Sequence, residues 1–173
     1  MIFQATWRQV LDGSKTQTRR IVGTDHHFLS APLYSNPAVY VYHGKYSRSR
    51  TLWRVGSTYA VQSGCGRSAV WYSSDGSTID IPSVDCMWSE LTAHGFREAR
   101  IRITRIRQER VQDISEADAI AEGSQFGQNA YGDIVTPVEA LAALWDTLHD
   151  KRGERWADNP AVWVLEFELV EAA

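Results

Sequence analysis

The sequence predicts an α+β fold: a β-barrel of short strands with flanking α-helices. Three patterns carry this expectation. Runs of β-forming residues, Thr58 to Gln62 and Ser68 to Tyr72, are bounded by Gly, Ser and Asp. Near the C-terminus Trp163, Leu165, Phe167 and Leu169 alternate with Glu166 and Glu168, as on a strand with one buried face. Two helix starts, at Ser115 and Thr136, place a hydroxyl residue ahead of an acid three positions on.

The elements follow in chain order. Ala5, Trp7, Val10 and Leu11 share a face at helical spacing, and Gly13 stands where a left-handed residue ends a helix. A short first helix therefore leads into Gly13-Ser14-Lys15-Thr16-Gln17-Thr18-Arg19-Arg20, a charged run expected to be displayed rather than buried. Thr58–Gln62 and Ser68–Tyr72 read as adjacent barrel strands, with a loop at 63–67 between them and Asp75-Gly76 at the next turn. Arg100 to Thr104 alternates at period two, and the phase slips at Arg105-Ile106, which predicts a bulge or bend. The arginines of this strand read as a solvated outer face. Ser115-Glu116-Ala117-Asp118 and Thr136-Pro137-Val138-Glu139 read as capping boxes. Val138, Leu141, Ala142, Leu144, Trp145 and Leu148 give the second of these helices one apolar face, ending near Asp150. The final strand closes the sheet.

With 173 residues and 43% apolar content, and neither repeat nor linker, the chain reads as one domain over residues 1–173. No apolar run approaches the roughly 20 residues a bilayer requires, and no basic-then-apolar leader opens the chain, so a cytoplasmic protein with no membrane partner is expected. Cys65 and Cys86 read as free thiols. A zinc site from Cys65, Cys86, His94 and His43 lacks the close ligand pairs such sites use, so no metal and no cofactor are expected. The net charge of −3 conceals an asymmetry: residues 1–110 hold 15 of the 18 Lys and Arg against 8 acids, while residues 111–173 hold 3 against 13. One consequence is mutual neutralisation across the fold. The other is a positive cleft of Arg19, Arg20, Lys45, Arg48, Arg50, Arg54 and Arg67, interleaved with Trp53, Tyr46, Tyr42 and Tyr40 as base-stacking surfaces are.

Lys15-Thr16 invites comparison with a phosphate-binding P-loop, but that motif needs glycines where this chain has Gln9 and Ser14. Gly13-x-Lys15-Thr16-x-Thr18 followed by arginine instead resembles the opening motif of the ASCH family, a relative of the PUA RNA-binding domains. The segment from Asp113 to Gly123 resembles that family's short acidic helix. Trp156 to Pro160 and then Ala161 to Phe167 resemble the closing strand of its larger bacterial and phage-associated members. With Arg54 to Gln62 these segments cover roughly half the chain. Residues near 23–52 and 63–96 have no counterpart and read as insertions. The first of them, from His26-His27-Phe28 through Tyr46, reads as a lid or a decorated loop with solvent-exposed histidines.

The resemblance implies a PUA-like barrel. It also implies, by likeness to small members that hydrolyse N4-acetylcytidine, a catalytic set of Lys15, Thr18 and Glu122, the last reached by aligning the helix on its capping Ser115. A lysine desolvated beside Arg19 and Arg20 loses proton affinity and can act as a base. Thr18 then attacks a carbonyl or orients a water, and Glu122 moves the proton to the leaving amine. Arg20 is the natural partner of an oxyanion or phosphate. Thr16, Arg19, Arg20, Arg54 and Trp53 are the expected ligand contacts. Arg19 departs from the small enzymes, where an aliphatic residue is common. Two functional classes follow: a hydrolase (an N4-acylcytidine amidohydrolase or a ribonuclease), or a non-catalytic module. Either one binds RNA, single-stranded nucleic acid or a nucleoside or nucleotide. The plain alternative for Lys15 and Glu122 is a salt bridge between two helices, worth at most about 1 kcal/mol if exposed.

Overall fold

A single turn and a half of helix, α1 (Trp7–Leu11), stops at Gly13, whose φ of +78° is the left-handed value a glycine accepts without strain. The computed structural model describes residues 6–24, 26–29, 37–43, 48–62, 68–73, 78–82, 97–129 and 131–170. After α1 come strands β1 (Gln17–Ile21), β2 (His26–Leu29), β3 (Ala38–His43), β4 (Arg48–Arg54), β5 (Thr58–Ala60), β6 (Ser68–Tyr72), β7 (Thr78–Pro82), β8 (Arg97–Glu98) and β9 (Arg100–Arg110). Helix α2 (Glu116–Ala121), the hairpin β10 (Gly127–Gln128) and β11 (Ile134–Val135), helix α3 (Pro137–Leu148) and strand β12 (Ala161–Val170) complete the order. The class is mixed α and β, with strands predominating among the described residues.

The principal sheet is four-stranded, antiparallel throughout, in the order β1-β12-β9-β5, and it curls like half of a barrel. Its centre is β12, where Val162, Trp163, Val164 and Leu165 are all buried. Val162 and Val164 pack with Val111 and with Trp145 of α3 on one face. Trp163 and Leu165 pack with Val39, Ile103 and Ile106 on the other. Covering both faces stabilises the strand strongly, at about 1.5–3 kcal/mol for each large side chain removed from water. Opposite Glu166 and Phe167, β9 pairs through Arg105 and then Ile103, leaving Thr104 without a partner. This is the bulge that the phase slip predicts. β5 and β6 fall in different sheets, but they meet at a fully buried junction. There Val61 N–H donates to Ala99 O (2.8 Å), Val70 N–H to Val61 O (3.0 Å) and Ala99 N–H to Val70 O (2.8 Å).

Strands β7, β6 and β8 form a second sheet, in which Tyr72 pairs with Thr78 as a turn at Asp75-Gly76 requires. The turn itself, the 63–67 loop, Cys65, Cys86, His94, Lys45, Tyr46 and Arg67 lie outside the described residues, as do the side chains of Tyr40, Tyr42, His43, Arg48 and Arg50. The stretch expected to be a lid or loop is in part a three-stranded meander, β2-β3-β4. Leu52 and Trp53 of β4 seat it against the core with Val39. His26 is not solvent-exposed as expected but half-buried, because its Nδ1 accepts from Gly23 N–H and Trp163 Nε1–H, each at 3.1 Å. Nε2 therefore carries the ring's proton.

Thr136 makes the full capping box: Glu139 N–H reaches Thr136 Oγ1 at 3.3 Å and Thr136 N–H reaches Glu139 Oε2 at 2.8 Å. α3 ends at Leu148, two residues short of the expected limit. At α2 only half of the predicted box forms, with Ser115 Oγ accepting from Asp118 N–H. The Asp118 carboxylate is turned instead toward Gln17 and the Arg107 guanidinium, a charged donor that outcompetes a neutral N–H. The charge asymmetry resolves, among the described residues, into neutralisation: Arg102 pairs with Glu168 at 2.7 Å and Arg105 with Glu166 at 3.4 Å across β9 and β12. The arginines there are the solvated face expected of them.

Candidate functional site

The charged run starts where three elements cross. Lys15 N–H donates to Gln9 O of α1 (2.9 Å), Thr16 N–H to Ala121 O at the end of α2 (2.8 Å), and Phe167 N–H of β12 to Thr16 O (2.8 Å). These bonds fix the entry of β1, so its alternation assigns faces without ambiguity. Gln17 and Arg19 point to one side of the sheet, and Thr18 and Arg20 to the other, where Trp163 lies opposite Arg20 in register.

The run is not on display, contrary to the expectation. Lys15 is 4% exposed, Thr18 2% and Arg19 2%. Buried cations require partners, and these come from segments about a hundred residues away. Glu122, the residue just after α2, is 8% exposed and meets two cations and a backbone N–H at once. Its Oε1 accepts Arg19 N–H at 2.9 Å, its Oε2 accepts Arg19 Nη1–H at 3.1 Å, and Lys15 Nζ lies 3.4 Å from Oε1. Lys15 Nζ also donates to the main-chain oxygen of Glu122, a cation on the last carbonyl of a helix. Arg19 is completed by Glu109 of β9, whose Oε1 accepts from Nε (3.1 Å) and Nη2 (2.6 Å). On the other face Arg20 Nη1 donates to Thr18 Oγ1 at 3.0 Å and to Arg19 O at 2.9 Å. Of the set, Arg20 alone is only half-buried.

Burial pushes the Lys15 amine below its ordinary value of 10.5, opposed by the charge of Glu122 and assisted by Arg20 and Arg19. The desolvation outweighs the carboxylate, so the neutral amine is the more accessible form here than in water. At Asp118 burial acts upward, but the hydrogen bond from Gln17 and the charges of Arg107 and Arg19 outweigh it and hold the carboxyl below 3.8.

The structure thus brings Lys15, Glu122 and Arg19 into direct contact and joins Thr18 to Arg20. It does not bring Arg54 or Trp53 to them by any hydrogen bond or ion pair between described residues. Arg54 uses its N–H on Tyr59 Oη at 3.0 Å. Trp53 packs edge-on against His26, with centroids 6.1 Å apart at 87°, and contributes to the core as aromatics on strands commonly do. Thr16 is exposed, at the mouth of a cleft of about 390 Å³ on the α2 side of the sheet. Gln17, Thr104, Asp118, Ala121, Glu166 and Phe167 complete its lining. Lys15, Thr18 and Glu122 are not part of that lining. The two carboxylates in that lining, Asp118 and Glu166, are both engaged by Arg107.

Sequence reasoning missed Glu109, Gln17, Asp118 and Arg107 as supports of the site. Arg107 and Glu109 alternate on one face of β9, a signal that was present, but nothing local says which cation they meet. His149 was also missed. It stacks on Trp145, with centroids 4.3 Å apart, and burial lowers its pKa below 6.5, opposed by Glu154 and Asp146 and assisted by Arg20. Comparison of the chain with protein-family models, curated proteins and solved structures gives no match in any of the three.

Proposed function

We propose that this chain is an ASCH-type protein with a PUA-like barrel, and a hydrolase that removes an acyl group from the exocyclic nitrogen of a cytosine-type nucleobase, as a free nucleoside or within RNA. The motif resemblance around Lys15, Thr18 and Glu122 supports the family. The observation that carries the chemistry is the buried contact of Lys15 Nζ with Glu122 Oε1 at 3.4 Å, with the lysine's proton affinity lowered. A binding pocket needs a cation and a flat surface. It has no use for a proton-transfer pair held out of water.

In this reading Lys15, as the neutral amine, takes a proton from a water held by Thr18, and the oxygen adds to the acyl carbon. The negative charge that develops on the carbonyl oxygen faces Arg20, the half-buried member of the set. The C–N bond then breaks, and the proton on Lys15 passes by way of Glu122 to the departing nitrogen. One water is consumed, and a carboxylic acid and the free amine are released. Arg19 acts on Glu122 rather than on substrate: its N–H and Nη1 fix the carboxylate so that one oxygen faces the lysine. General acid–base catalysis of this kind contributes about 10²–10⁴ in rate.

The test is incubation of the pure protein with N4-acylated cytidines and with short RNAs, followed by mass-resolved chromatography, alongside Lys15→Ala and Glu122→Gln. Loss of the acyl group in wild type and in neither variant supports the hydrolase. Absence of turnover, with nucleoside or RNA binding that weakens in Lys15→Ala and not in Glu122→Gln, replaces it with a non-catalytic module.

A further inference from the structure

The segment between α2 and α3 turns apolar side chains outward. Gln128 pairs with Ile134 in the β10–β11 hairpin, so these two share one face, and Phe126 immediately precedes the hairpin. Phe126 is 65% exposed and Ile134 73%, while Val135, on the opposite face, is half-buried. Tyr131 at the tip is 92% exposed. Around the turn Asn129 Oδ1 accepts from Tyr131 N–H (2.9 Å) and Asp133 N–H (3.0 Å), and Gly132 supplies a φ of +87°. Three large apolar side chains held in water on one short segment point to a binding surface.

Its surroundings specify the partner. Residues 111–150 contain eight acids and neither a lysine nor an arginine. At the hairpin's root Glu116 Oε2 accepts from Val138 N–H (3.2 Å), Glu139 Oε2 accepts from Thr136 N–H (2.8 Å) and Asp133 Oδ2 accepts from Asn129 Nδ2 (3.0 Å). None of the three carboxylates forms an ion pair with a described basic side chain. The start of α3 offsets about half a charge, so the root stays negative. Exposed aromatics alone would also suit stacked bases, but a phosphate here would face the carboxylates of Glu116, Asp133 and Glu139. We infer that the β10–β11 hairpin is a protein-docking surface for a partner whose contact face is basic and carries an apolar pocket that receives Phe126, Ile134 and Tyr131.

The probe is a helical peptide of alternating lysine and leucine faces, titrated into the full chain labelled with ¹⁵N, with the same peptide bearing glutamate in place of lysine as control. The lysine peptide shifts the amides of residues 126–135, the glutamate peptide does not, and binding weakens with salt. Phe126→Ser with Ile134→Ser, both exposed and distant from the core, lowers the affinity at least about tenfold with unchanged thermal unfolding. Equal binding of both peptides, or shifts elsewhere only, overturns the inference. So does oligo(U) shifting the hairpin where the peptide does not, which gives the surface to nucleic acid. Concentration-dependent dimers abolished by the double substitution would give it to a second copy and overturn the inference as well.

Discussion

Replacing Arg19 by methionine should be the most destructive single change on β1. The methionine fills most of the volume but takes one cation from Glu109 and from Glu122, and the looser 3.8 Å contact from Asp118. Glu122 keeps the Arg19 N–H and Lys15 at 3.4 Å, and Glu109 keeps Arg107 at 3.1 Å, so neither is wholly abandoned. Breaking one partner of a buried ion pair costs about 3–5 kcal/mol, and the remaining contacts put the loss near about 3 kcal/mol. For a chain of this size each kcal/mol moves the midpoint by about 2–4 °C, so Arg19→Met should unfold about 6–12 °C below wild type. Urea unfolding at neutral pH gives the free energy directly. Arg102→Met is the control, since Arg102 and Glu168 are each about half-exposed and such pairs are worth about 0–1 kcal/mol. Adding Glu122→Gln to Arg19→Met should recover part of the loss, because the buried charge is then removed. If Arg19→Met lies within about 1 kcal/mol of wild type, alongside Arg102→Met, the paired-burial reasoning is wrong.

Gly123→Ala should cost about 1–3 kcal/mol in the same assay: φ is +98°, and a Cβ would stand 2.5 Å from Gln9 Oε1. Gln9→Ala in that background should relieve the clash but not the backbone strain. Lys15 holds its proton less firmly in the folded state than at 10.5, so folding stability should rise with pH toward 10.5, and Lys15→Met should lose that rise. Asp118 gives the same sign of pH dependence at the acid end. Its folded value is depressed, so its contribution is present above 3.8 and is lost as pH falls through the lower folded value; acid titration of Asp118→Asn should show a shallower loss.

What the sequence revealed was local. Thr136 with Glu139, the slipped phase before Ile106 and the alternation from Trp163 to Leu169 each depend on neighbours within a few positions, and each reappears as a cap, a bulge and a central strand. Arg19 was not legible in the same way. Its partners Glu109 and Glu122 lie 90 and 103 positions away, and nothing in the order of residues marks such a meeting. The charged run therefore read as displayed, although the acids that allow it to be buried stand in the chain. The β2–β4 meander did leave a trace in Ala38-Val39-Tyr40-Val41-Tyr42, a run of β-forming residues whose two tyrosines also suit a stacking surface beside Lys45, Arg48 and Arg50. Asp118 was correctly seen as the third residue of a helix, but a strand arginine claims its carboxylate.

The most direct measurement of the central claim is the initial rate of acetate release from N4-acetylcytidine by wild type and by Glu122→Gln, which keeps an oxygen for Arg19 N–H and removes the proton carrier. The account predicts turnover by wild type and a fall of about 10²-fold or more in kcat for the variant, with substrate affinity little changed. Equal rates from the two proteins, or none from wild type while it binds the nucleoside, would contradict it.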